Sequence, residues 1–332
     1  MKITILGSGG WGTALACTLA KNSKKDVLLW SLFENEIKAL KEEKENKAFL
    51  PGVKLPEEIE YSSDLEYSVK RAEIIIFAVP SFAMRETAKK ASLYFNPETQ
   101  IAVCVAKGLE DSTFMTLGEV IESELPKNSR VCALSGPTHA EEVARDIPTT
   151  IVAAAKDIKT AQIVQENMMN EKFRIYTSDD MKGVELGGTI KNIIALCAGI
   201  SDGCGFGDNA KAALMTRGIH EIAKLGVAMG GKRETFYGLS GIGDLIVTCT
   251  SIHSRNRRCG ILIGKGMKAD DAMKEVNMVV EGVKCLKAVY NAAKKCNVEM
   301  PIINEAYDVI YNNKNPLDCV TALMTRDKKS EL

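Results

Sequence analysis

The stretch of residues 2–22, KITILGSGGWGTALACTLAKN, joins a short apolar run to a helix-like pattern through a glycine-rich turn. Gly7, Gly9 and Gly12 have the spacing G-x-G-x-x-G between a strand pattern and a helix pattern. In such a unit the first glycine permits a tight turn, the second lets backbone approach a pyrophosphate, and the third lets the helix pack closely on the strand. The N–H groups at the start of a helix also attract phosphate. The stretch therefore predicts a β-α-β unit that binds a nucleotide, the alternative being an ordinary glycine-rich turn.

The first half of the chain continues this alternation of strand and helix patterns. Continuous apolar runs between amphipathic segments indicate parallel strands that are buried on both faces of a sheet. We predict strands over residues 3–6, 27–30, 74–79, 101–105, 131–134, 150–153 and 173–176, and helices that include residues 13–22 and 113–123. These elements predict an α/β fold, with a doubly wound, mostly parallel sheet of the Rossmann type in a domain of residues 1–180.

The second half of the chain changes character near residue 180. Runs of β-branched residues give way to helical patterns, which we predict over residues 210–229, 269–276 and 282–296. Glycine clusters lie between them as turns or as sites of close approach. We therefore expect an all-helical second domain over residues 181–332.

Composition and charge exclude several classes of protein. Hydrophobic residues make up 45% of the chain and charged residues 26%, which is typical of a globular protein and not of a disordered one. Basic and acidic residues number 43 each, so the basic excess of a general nucleic-acid binder is missing. The apolar runs are shorter than the about 20 residues of a membrane-spanning helix, and the beginning of the sequence lacks the pattern of a secretory signal. We expect a cytoplasmic protein with no nucleic-acid partner and no membrane span.

The ten cysteines and three histidines do not form a metal-ligand pattern. The Cys-x-x-Cys spacing does not occur, and most cysteines lie in apolar runs such as IAVCVA and RVCALSG. In a reducing compartment cysteine commonly behaves as a small buried hydrophobic residue. We therefore expect buried free thiols and no metal site.

The end of the second predicted strand is where a dinucleotide site distinguishes NAD from NADP. An acidic residue there binds the ribose hydroxyls of NAD, whereas an arginine accommodates the 2′-phosphate of NADP. The strand ends in LWSLFE, residues 29–34, which has no acidic or basic residue at the expected tip. Glu34 lies just beyond and is either a ribose ligand or a solvated loop charge. The residues at this position leave NAD and NADP both open.

The sequence GVELGGTIKNIIAL places a lysine among apolar or uncharged residues. In a helix, Gly188, Lys191 and Asn192 share one face. Gly187 and Gly188 each cost a helix roughly 1 kcal/mol, so something must approach the backbone closely there. Burial disfavours the charged form of an amine and lowers its pKa, which suits a group that both donates and accepts a proton. Lys191 is therefore a candidate general acid and base, the alternative being a lysine whose amine reaches the surface.

A second polar cluster follows the motif Gly-Ile-Gly-Asp that ends at Asp244. An uncharged polar run leads into Ser254, Arg255 and Asn256, and two further arginines follow at a helix-like start. Serine is a preferred N-cap, and the N–H groups of a helix start and a guanidinium together suit a phosphate or a carboxylate. The alternative is a capped surface helix with solvated arginines. We expect Arg255 to hold the anion and one or both of Arg257 and Arg258 to be plain surface charges.

Several longer motifs occur in order along nearly the whole chain. They are GSGGWGTALA (7–16), NKAFLPGVKLP (46–56), AKGLE (106–110), SGPTHAEEVA (135–144), GVELGGTIKNIIALCAGISDGCGFGDNAKAALMTRG (183–218), GLSGIGDLIVTCTSIHSRNRRCG (238–260) and VVEGV (279–283). Together they resemble those of the bacterial NAD(P)-dependent glycerol-3-phosphate dehydrogenases. The resemblance implies reversible reduction of dihydroxyacetone phosphate to sn-glycerol 3-phosphate with NAD or NADP, a supply of glycerol phosphate for phospholipid synthesis, and a homodimer.

The same resemblance implies roles for individual residues. Lys191 donates a proton when the carbonyl is reduced and accepts one in the reverse direction. Lys107 and Asp244 are further catalytic residues: Lys107 contacts both the substrate and the cofactor, and Asp244 orients Lys191 or a substrate hydroxyl. The further substrate residues are Gly136, Thr138, Ser254, Arg255 and Asn256, of which the last three hold the phosphate. The further cofactor residues are Gly7, Gly9, Gly10, Trp11, Gly12, Ala140, Arg255, Val279 and Glu281.

One departure from the family pattern concerns Leu32, because the family often has a basic residue shortly after the tryptophan that ends the strand. This departure predicts weak discrimination between the two cofactors, leaning to NADH. Two alternative functions are a related two-domain hydroxyacid dehydrogenase and a non-enzymatic NAD-sensing protein. The SRNRR segment fits a phosphate better than a simple carboxylate, and a sensor has no need of Lys107, Lys191 and Asp244 together.

Overall fold

A computed structural model describes residues 1–21, 25–328 and 330–331 of the chain. The chain divides into two compact units, one formed by Met1–Glu110 and Met115–Glu185 and the other by Asp111–Phe114 and Leu186–Leu332. The main boundary lies between Glu185 and Leu186, inside a helix, whereas the sequence predicted it near residue 180.

The first unit is built on a parallel sheet. Its strands are β1 (Lys2–Leu6), β2 (Asp26–Trp30), β3 (Glu45–Asn46), β4 (Leu50–Lys54), β5 (Glu60–Ser62), β6 (Ile74–Phe77), β7 (Ile101–Cys104), β8 (Arg130–Ser135), β9 (Thr149–Ala154) and β10 (Phe173–Ser178). Within the described residues the main sheet has the order β10-β9-β8-β7-β6-β1-β2-β5. Neighbouring strands of this sheet are parallel except β8 and β9, which are antiparallel. Strands β3 and β4 pair with each other in a separate antiparallel sheet. The predicted strands are all present, and the predicted fold class is confirmed.

Burial on both faces explains why the apolar runs become strands. Ile74–Phe77, in the middle of the sheet, is buried along its whole length. The helices of this unit are α1 (Gly10–Ala20), α2 (Glu34–Glu43), α3 (Leu65–Lys70), α4 (Met84–Ser92), α5 (Leu117–Glu124), α6 (Ala140–Ala144) and α7 (Ile158–Met168). The helix predicted over residues 13–22 is α1, and its predicted end at Asn22 lies outside the described residues.

Some local predictions for the first unit were incomplete. The short strands β3, β4 and β5 were not predicted, because they are only partly buried and form no continuous apolar run. The helix predicted from residue 113 begins only at Leu117. Thr116 is its N-cap, since its hydroxyl accepts from the Glu119 N–H while the Glu119 carboxylate accepts from the Thr116 N–H in a capping box.

All the regular secondary structure in the described residues of the second unit is helical. Its helices are α8 (Met181–Gly203, of which the first five residues belong to the first unit), α9 (Asp208–Ala228), α10 (Asp244–Thr250), α11 (Arg255–Gly264), α12 (Ala269–Val276), α13 (Glu281–Lys295), α14 (Pro301–Tyr311) and α15 (Pro316–Met324). A 3₁₀ turn, Arg233–Tyr237, and a π-helical turn, Leu239–Gly243, precede α10. The all-helical prediction is confirmed.

Helix α8 is the long central helix of this unit. By length and composition alone it could cross a membrane, but 94% of its most apolar window is buried inside the protein. A helix that is apolar on all sides and covered by neighbouring helices is typical of the core of a large globular protein. Its hydrophobicity is therefore accounted for by packing.

Glycines allow α8 and α11 to cross with their backbones in contact. A Cβ added to Gly199 of α8 would lie 2.1 Å from the carbonyl oxygen of Arg257, and a Cβ added to Gly260 of α11 would lie 2.1 Å from that of Leu196. No side chain fits into either gap, so the crossing depends on glycine at both positions. This contact fixes α11 against the C-terminal half of α8.

Glu185 is a buried carboxyl in the first turns of α8, and it binds the start of α5. Its Oε1 accepts a hydrogen bond from the Gly118 N–H at 2.6 Å, and its Oε2 accepts one from the Thr116 hydroxyl at 2.7 Å. Burial raises the pKa of Glu185 from 4.5 to about 7, and these hydrogen bonds only partly oppose that effect. At a pH between 4.5 and about 7, Glu185 is therefore protonated in the folded chain and ionised in the unfolded chain.

This proton difference predicts that the free energy of unfolding falls as pH rises from 4.5 to about 7, and that the contribution of Glu185 is constant above that range. Glu185→Gln removes the titration, so the variant should lose less stability than wild type between about pH 5 and about pH 8. Urea unfolding at both pH values measures this difference. The surface variant Glu122→Gln, which breaks an exposed pair with Lys156, is the control and should behave like wild type. Equal pH dependence in wild type and Glu185→Gln would disprove the assignment.

Candidate active site

The glycine-rich loop between β1 and α1 has the geometry that its spacing predicts. Gly7 has a φ of +124°, and a Cβ added to it would lie 2.7 Å from the carbonyl oxygen of Ala78. A Cβ added to Gly12 would lie 2.0 Å from the carbonyl oxygen of Gly7. By contrast, no described atom outside the loop lies within 4 Å of a Cβ added to Gly9. The loop is closed towards the sheet and open at Gly9, which fits a pyrophosphate at the start of α1.

Three further residues complete this loop. Gly10 and Trp11 are the first residues of α1, where Gly10 is buried and Trp11 packs partly buried against the core. Asn46, which was not among the predicted site residues, donates from Nδ2 to the Ser8 carbonyl at 2.7 Å and to the Thr13 hydroxyl at 2.8 Å. Asn46 thereby holds the loop in shape. Its position at the start of the motif NKAFLPGVKLP was the signal that could have found it.

The tip of β2 has a carboxylate that the sequence reading missed. The Ser31 hydroxyl, next to the end of β2, donates to Oε2 of Glu36 at 2.5 Å. The Ser8 hydroxyl, in the glycine-rich loop, donates to the same oxygen at 2.6 Å. Glu34, the acidic residue considered from the sequence, is exposed to solvent. The expectation that no acid reaches the tip was therefore wrong, because the first turn of α2 carries Glu36 back to it.

The predicted substrate residues of the first unit meet at one carbonyl. Lys107 follows β7 and Gly136 follows β8, and these two strands are parallel neighbours. The Lys107 ammonium donates to the Gly136 carbonyl oxygen at 3.2 Å, and the Thr138 hydroxyl donates to the same oxygen at 3.1 Å. Ala140 begins α6 and is buried. The cluster lies at the carboxyl ends of parallel strands, where open α/β sheets bind ligands.

The predicted catalytic pair of the second unit is in direct contact. Lys191 is 4% exposed, and its ammonium donates to Oδ1 of Asp244 at 2.9 Å and to the Thr248 hydroxyl at 2.5 Å. Thr248 lies one turn after Asp244 in α10, and its hydroxyl donates to the Asp244 carbonyl at 2.6 Å. Thr248 was missed, although its spacing from Asp244 on one helix could have found it. The result is a buried ion pair of fixed geometry.

The glycines of this segment have a structural explanation. A Cβ added to Gly187 would lie 2.9 Å from the carbonyl oxygen of Ser240 in the π-helical turn Leu239–Gly243. The close approach expected from the sequence at Gly187 is therefore made by the protein's own backbone. It brings the chain that leads into Asp244 against α8, one turn before Lys191.

The predicted phosphate residues lie at the start of α11. Two of them, Ser254 and Asn256, also make hydrogen bonds within the protein. Ser254 is the N-cap, and its Oγ accepts from the Arg257 N–H at 3.2 Å. Asn256 is buried, and it donates to Oδ1 of Asn192 at 3.0 Å and accepts from the Gly282 N–H at 2.8 Å. Arg255 is half-buried in the first turn. Asn256 thus connects α8, α11 and the start of α13.

Arg257 makes charged contacts that the sequence did not predict. Its Nε and Nη2 both lie 2.7 Å from Oδ2 of Asp202, whose other oxygen is 2.8 Å from the ammonium of Lys211. The Arg257 side chain is 18% exposed. Of the two arginines expected as surface charges, Arg257 is not one, because it forms an ion-pair network between α8, α9 and α11. Arg258, by contrast, is exposed.

The last predicted cofactor residues lie at the start of α13. Val279 is half-buried just before the helix, and Glu281 is its first residue. The hydrogen bond from the Gly282 N–H to Asn256 fixes this helix start. A Cβ added to Gly282 would lie 2.5 Å from the carbonyl oxygen of Asn192, so α13 also packs closely on α8.

The cysteines agree with the expectation of free thiols. All ten are unpaired, and most are buried. Burial raises the pKa of Cys249 to about 12, which keeps a thiol beside the Lys191 site protonated and unreactive. Within the described residues no group of histidine, cysteine or acidic side chains is arranged to hold a metal ion.

Comparison with known proteins assigns both halves of the chain. The family model for the NAD-dependent glycerol-3-phosphate dehydrogenase N-terminus matches residues 2–161, and the model for the C-terminus matches residues 180–321. The chain belongs to the NAD-dependent glycerol-3-phosphate dehydrogenase family.

Relatives in this family match along their whole length. A glycerol-3-phosphate dehydrogenase [NAD(P)+] of Agathobacter rectalis is 53% identical over 330 residues, which are 99% of this chain and 97% of that protein. The enzyme of the same name from Fusobacterium nucleatum is 52% identical over 333 residues, which cover 100% and 99%. The crystal structure of glycerol-3-phosphate dehydrogenase from Coxiella burnetii superposes with a TM-score of 0.93 at 36% identity, and covers 98% of this chain and 99% of that one.

The buried ion pair predicts how stability responds to substitution at Lys191. Lys191→Met leaves the Asp244 carboxylate buried without its cation, which should lower the free energy of unfolding by about 3–5 kcal/mol. Adding Asp244→Asn removes the uncompensated charge, so the double variant should be more stable than Lys191→Met. Chemical denaturation of the four forms of this cycle measures the coupling.

Lys274→Met supplies the matched control. It breaks an exposed pair with Asp271 and should change stability by no more than about 0.5 kcal/mol. If Lys191→Met costs as little as Lys274→Met, the Lys191–Asp244 pair does not have the energetic role that its burial implies.

Proposed function

We propose that the chain catalyses the reversible reduction of dihydroxyacetone phosphate to sn-glycerol 3-phosphate with a nicotinamide dinucleotide, NAD or NADP. The observation that carries this proposal is the buried Lys191, held by Asp244 and Thr248. Burying an ammonium in an apolar helix is costly even when it is paired, so a charge kept there points to a functional role. Family membership and the names of the relatives support the choice of substrate.

The glycine-rich loop fits the pyrophosphate of the cofactor. Gly9 leaves room for the pyrophosphate, and the first N–H groups of α1 face it as hydrogen-bond donors. When bound, the cofactor supplies the hydride in one direction and removes it in the other. The further contacts that we propose for it are Gly7, Gly10, Trp11, Gly12, Lys107, Ala140, Arg255, Val279 and Glu281.

Lys191 supplies the proton in this proposal. Negative charge develops on the substrate oxygen as its carbon gains hydride, and an ammonium at that oxygen stabilises the charge and then protonates it. Asp244 and Thr248 hold Nζ in one position, so no reorganisation is needed during the reaction. In the reverse direction the amine takes the proton of the secondary alcohol, and Asp244 stabilises the ammonium that forms. Lys107, Gly136 and Thr138 are the proposed substrate contacts of the first unit.

The start of α11 is the proposed phosphate site. Arg255 offers a planar guanidinium that can make two parallel charged hydrogen bonds to a phosphate. The Ser254 hydroxyl accepts from the Arg257 N–H and keeps its own hydrogen to donate. The Asn256 amide uses one N–H toward Asn192 and has a second. Arg255 therefore supplies the charge, and its two neighbours supply neutral donors whose positions the fold fixes.

Three broader properties accompany this proposal. We propose that the chain acts as a homodimer in the cytoplasm, and that its product supplies phospholipid synthesis. The support for these three properties is the family resemblance given above. It does not come from contacts in the described residues. Light scattering of the purified chain tests the dimer.

Arg255→Ala tests the function through its phosphate site. Because a charge-assisted hydrogen bond contributes about 1.5–3 kcal/mol, the variant should lose roughly a hundredfold or more in kcat/KM for dihydroxyacetone phosphate. Unphosphorylated dihydroxyacetone should be a very poor substrate of wild type, and the variant should lose much less activity on it than on dihydroxyacetone phosphate. Nicotinamide absorbance measures both reactions, with NADH and with NADPH.

Arg258→Ala is the control for this experiment, because Arg258 is exposed on the same helix and the buried contacts of Arg257 make that residue unsuitable. Arg258→Ala should resemble wild type. Equal losses of Arg255→Ala on the phosphorylated and unphosphorylated substrates would mean that Arg255 acts only through the fold or the cofactor and does not hold the substrate phosphate. A wild-type chain that consumes no NADH or NADPH with dihydroxyacetone phosphate would contradict the function itself.

A further inference from the structure

Glu36 lies where a Rossmann domain distinguishes its two dinucleotides. Ser31 immediately follows β2, and Ser8 belongs to the glycine-rich loop, so both mark the dinucleotide edge of the sheet. Their hydroxyls donate to the same oxygen, Oε2 of Glu36, at 2.5 and 2.6 Å. Ser31 is itself 3% exposed and Ser8 6% exposed. The carboxylate is therefore held at this edge by two buried donors of fixed position.

Among the described residues, no lysine or arginine forms an ion pair with Glu36. Its neighbours along the chain at the strand tip are Leu32 and Phe33, which are apolar and 61% and 57% exposed. The Glu36 carboxylate is half-buried, so its side chain also reaches solvent. A ligand at the strand tip meets a carboxylate and two apolar side chains.

These contacts leave Glu36 with hydrogen-bonding capacity. A carboxylate has about four acceptor positions, and the two serines occupy only one of its oxygens. Within the described part of the chain, no donor is within hydrogen-bond distance of Oε1. Since the serines fix Oε2, they also fix the direction in which Oε1 can accept. A vicinal pair of ribose hydroxyls is a ligand that donates to a carboxylate in this way.

We infer that Glu36 is the residue that selects NADH over NADPH, an inference that rests on the proposed function. The 2′-hydroxyl of the adenosine ribose donates to Glu36, which gives a charge-assisted hydrogen bond. The 2′-phosphate of NADPH has no hydrogen to donate when ionised, and it carries negative charge toward a carboxylate that the serines hold in place. The selection therefore acts by attraction for one dinucleotide and by repulsion of the other.

Equilibrium binding tests this inference without the reaction. Nicotinamide fluorescence gives the dissociation constants of NADH and NADPH for wild type and for Glu36→Gln, which keeps the size of the side chain and removes its charge. Wild type should bind NADH at least about tenfold more tightly than NADPH, since one charged hydrogen bond is of that order. In Glu36→Gln the ratio should fall by about tenfold or more, mainly through tighter binding of NADPH.

Two variants on the same helix separate Glu36 from general charge effects. Glu34→Gln tests the acidic residue that the sequence alone suggests, and Glu42→Gln removes an equal charge far along α2, where it pairs with Lys38 on the surface. Both should keep the wild-type ratio within about twofold. A shift of the ratio in Glu34→Gln and none in Glu36→Gln would overturn the assignment.

A further variant tests whether the charge at the strand tip decides the preference between the two dinucleotides. Leu32→Arg in the Glu36→Gln background places a cation at the strand tip, and it should move the preference to NADPH by a further factor of about ten. Equal weakening of NADH and NADPH in Glu36→Gln would mean that the carboxylate only supports the loop, which would overturn the inference. A wild type that binds NADPH as tightly as NADH would overturn it too. Binding of neither dinucleotide would contradict the proposed function, and this inference with it.

Discussion

The structure of the second unit depends on the need to compensate one buried ammonium. Lys191 lies in the apolar helix α8, and a cation there is tolerated only if acceptors surround it. Asp244 and Thr248 meet that need from α10, and the turn before α10 must therefore run against α8 at Gly187. The arrangement that makes the ammonium stable also holds it in one place, which is what a proton donor requires.

Close backbone packing extends this order to the residues proposed for the phosphate and the cofactor. Glycines let α11 and α13 lie directly on α8, and Asn256 joins the three helices by hydrogen bonds. Arg255 and Glu281 each begin one of these helices, so their backbones are fixed relative to Lys191. Side chains on rigid elements keep their positions better than side chains on loops. Such precision matters because a small misplacement of a catalytic group lowers the reaction rate strongly.

How far the sequence predicts this arrangement depends on the distance along the chain between interacting residues. The loop of Gly7, Gly9 and Gly12 is local, and its geometry follows from its spacing. The pairing of Lys191 with Asp244 followed only from a family motif. The contacts of Ser8 with Glu36 and of Arg257 with Asp202 join residues far apart in sequence, and no periodic pattern encodes them. Arg257 shows the consequence, since a charge in a polar run looks solvated until its distant partner is known.

The central claim is that the Lys191 ammonium is the proton donor, and chemical rescue tests it most directly. Lys191→Ala, under conditions where it is folded, should bind NADH as tightly as wild type and lose turnover of dihydroxyacetone phosphate by about a hundredfold to ten-thousandfold. Added methylammonium or ethylammonium should restore turnover in proportion to its concentration, because it returns a donor to the vacated volume. A variant that keeps more than about a tenth of the turnover, or one that binds NADH but responds to no amine, would contradict the account.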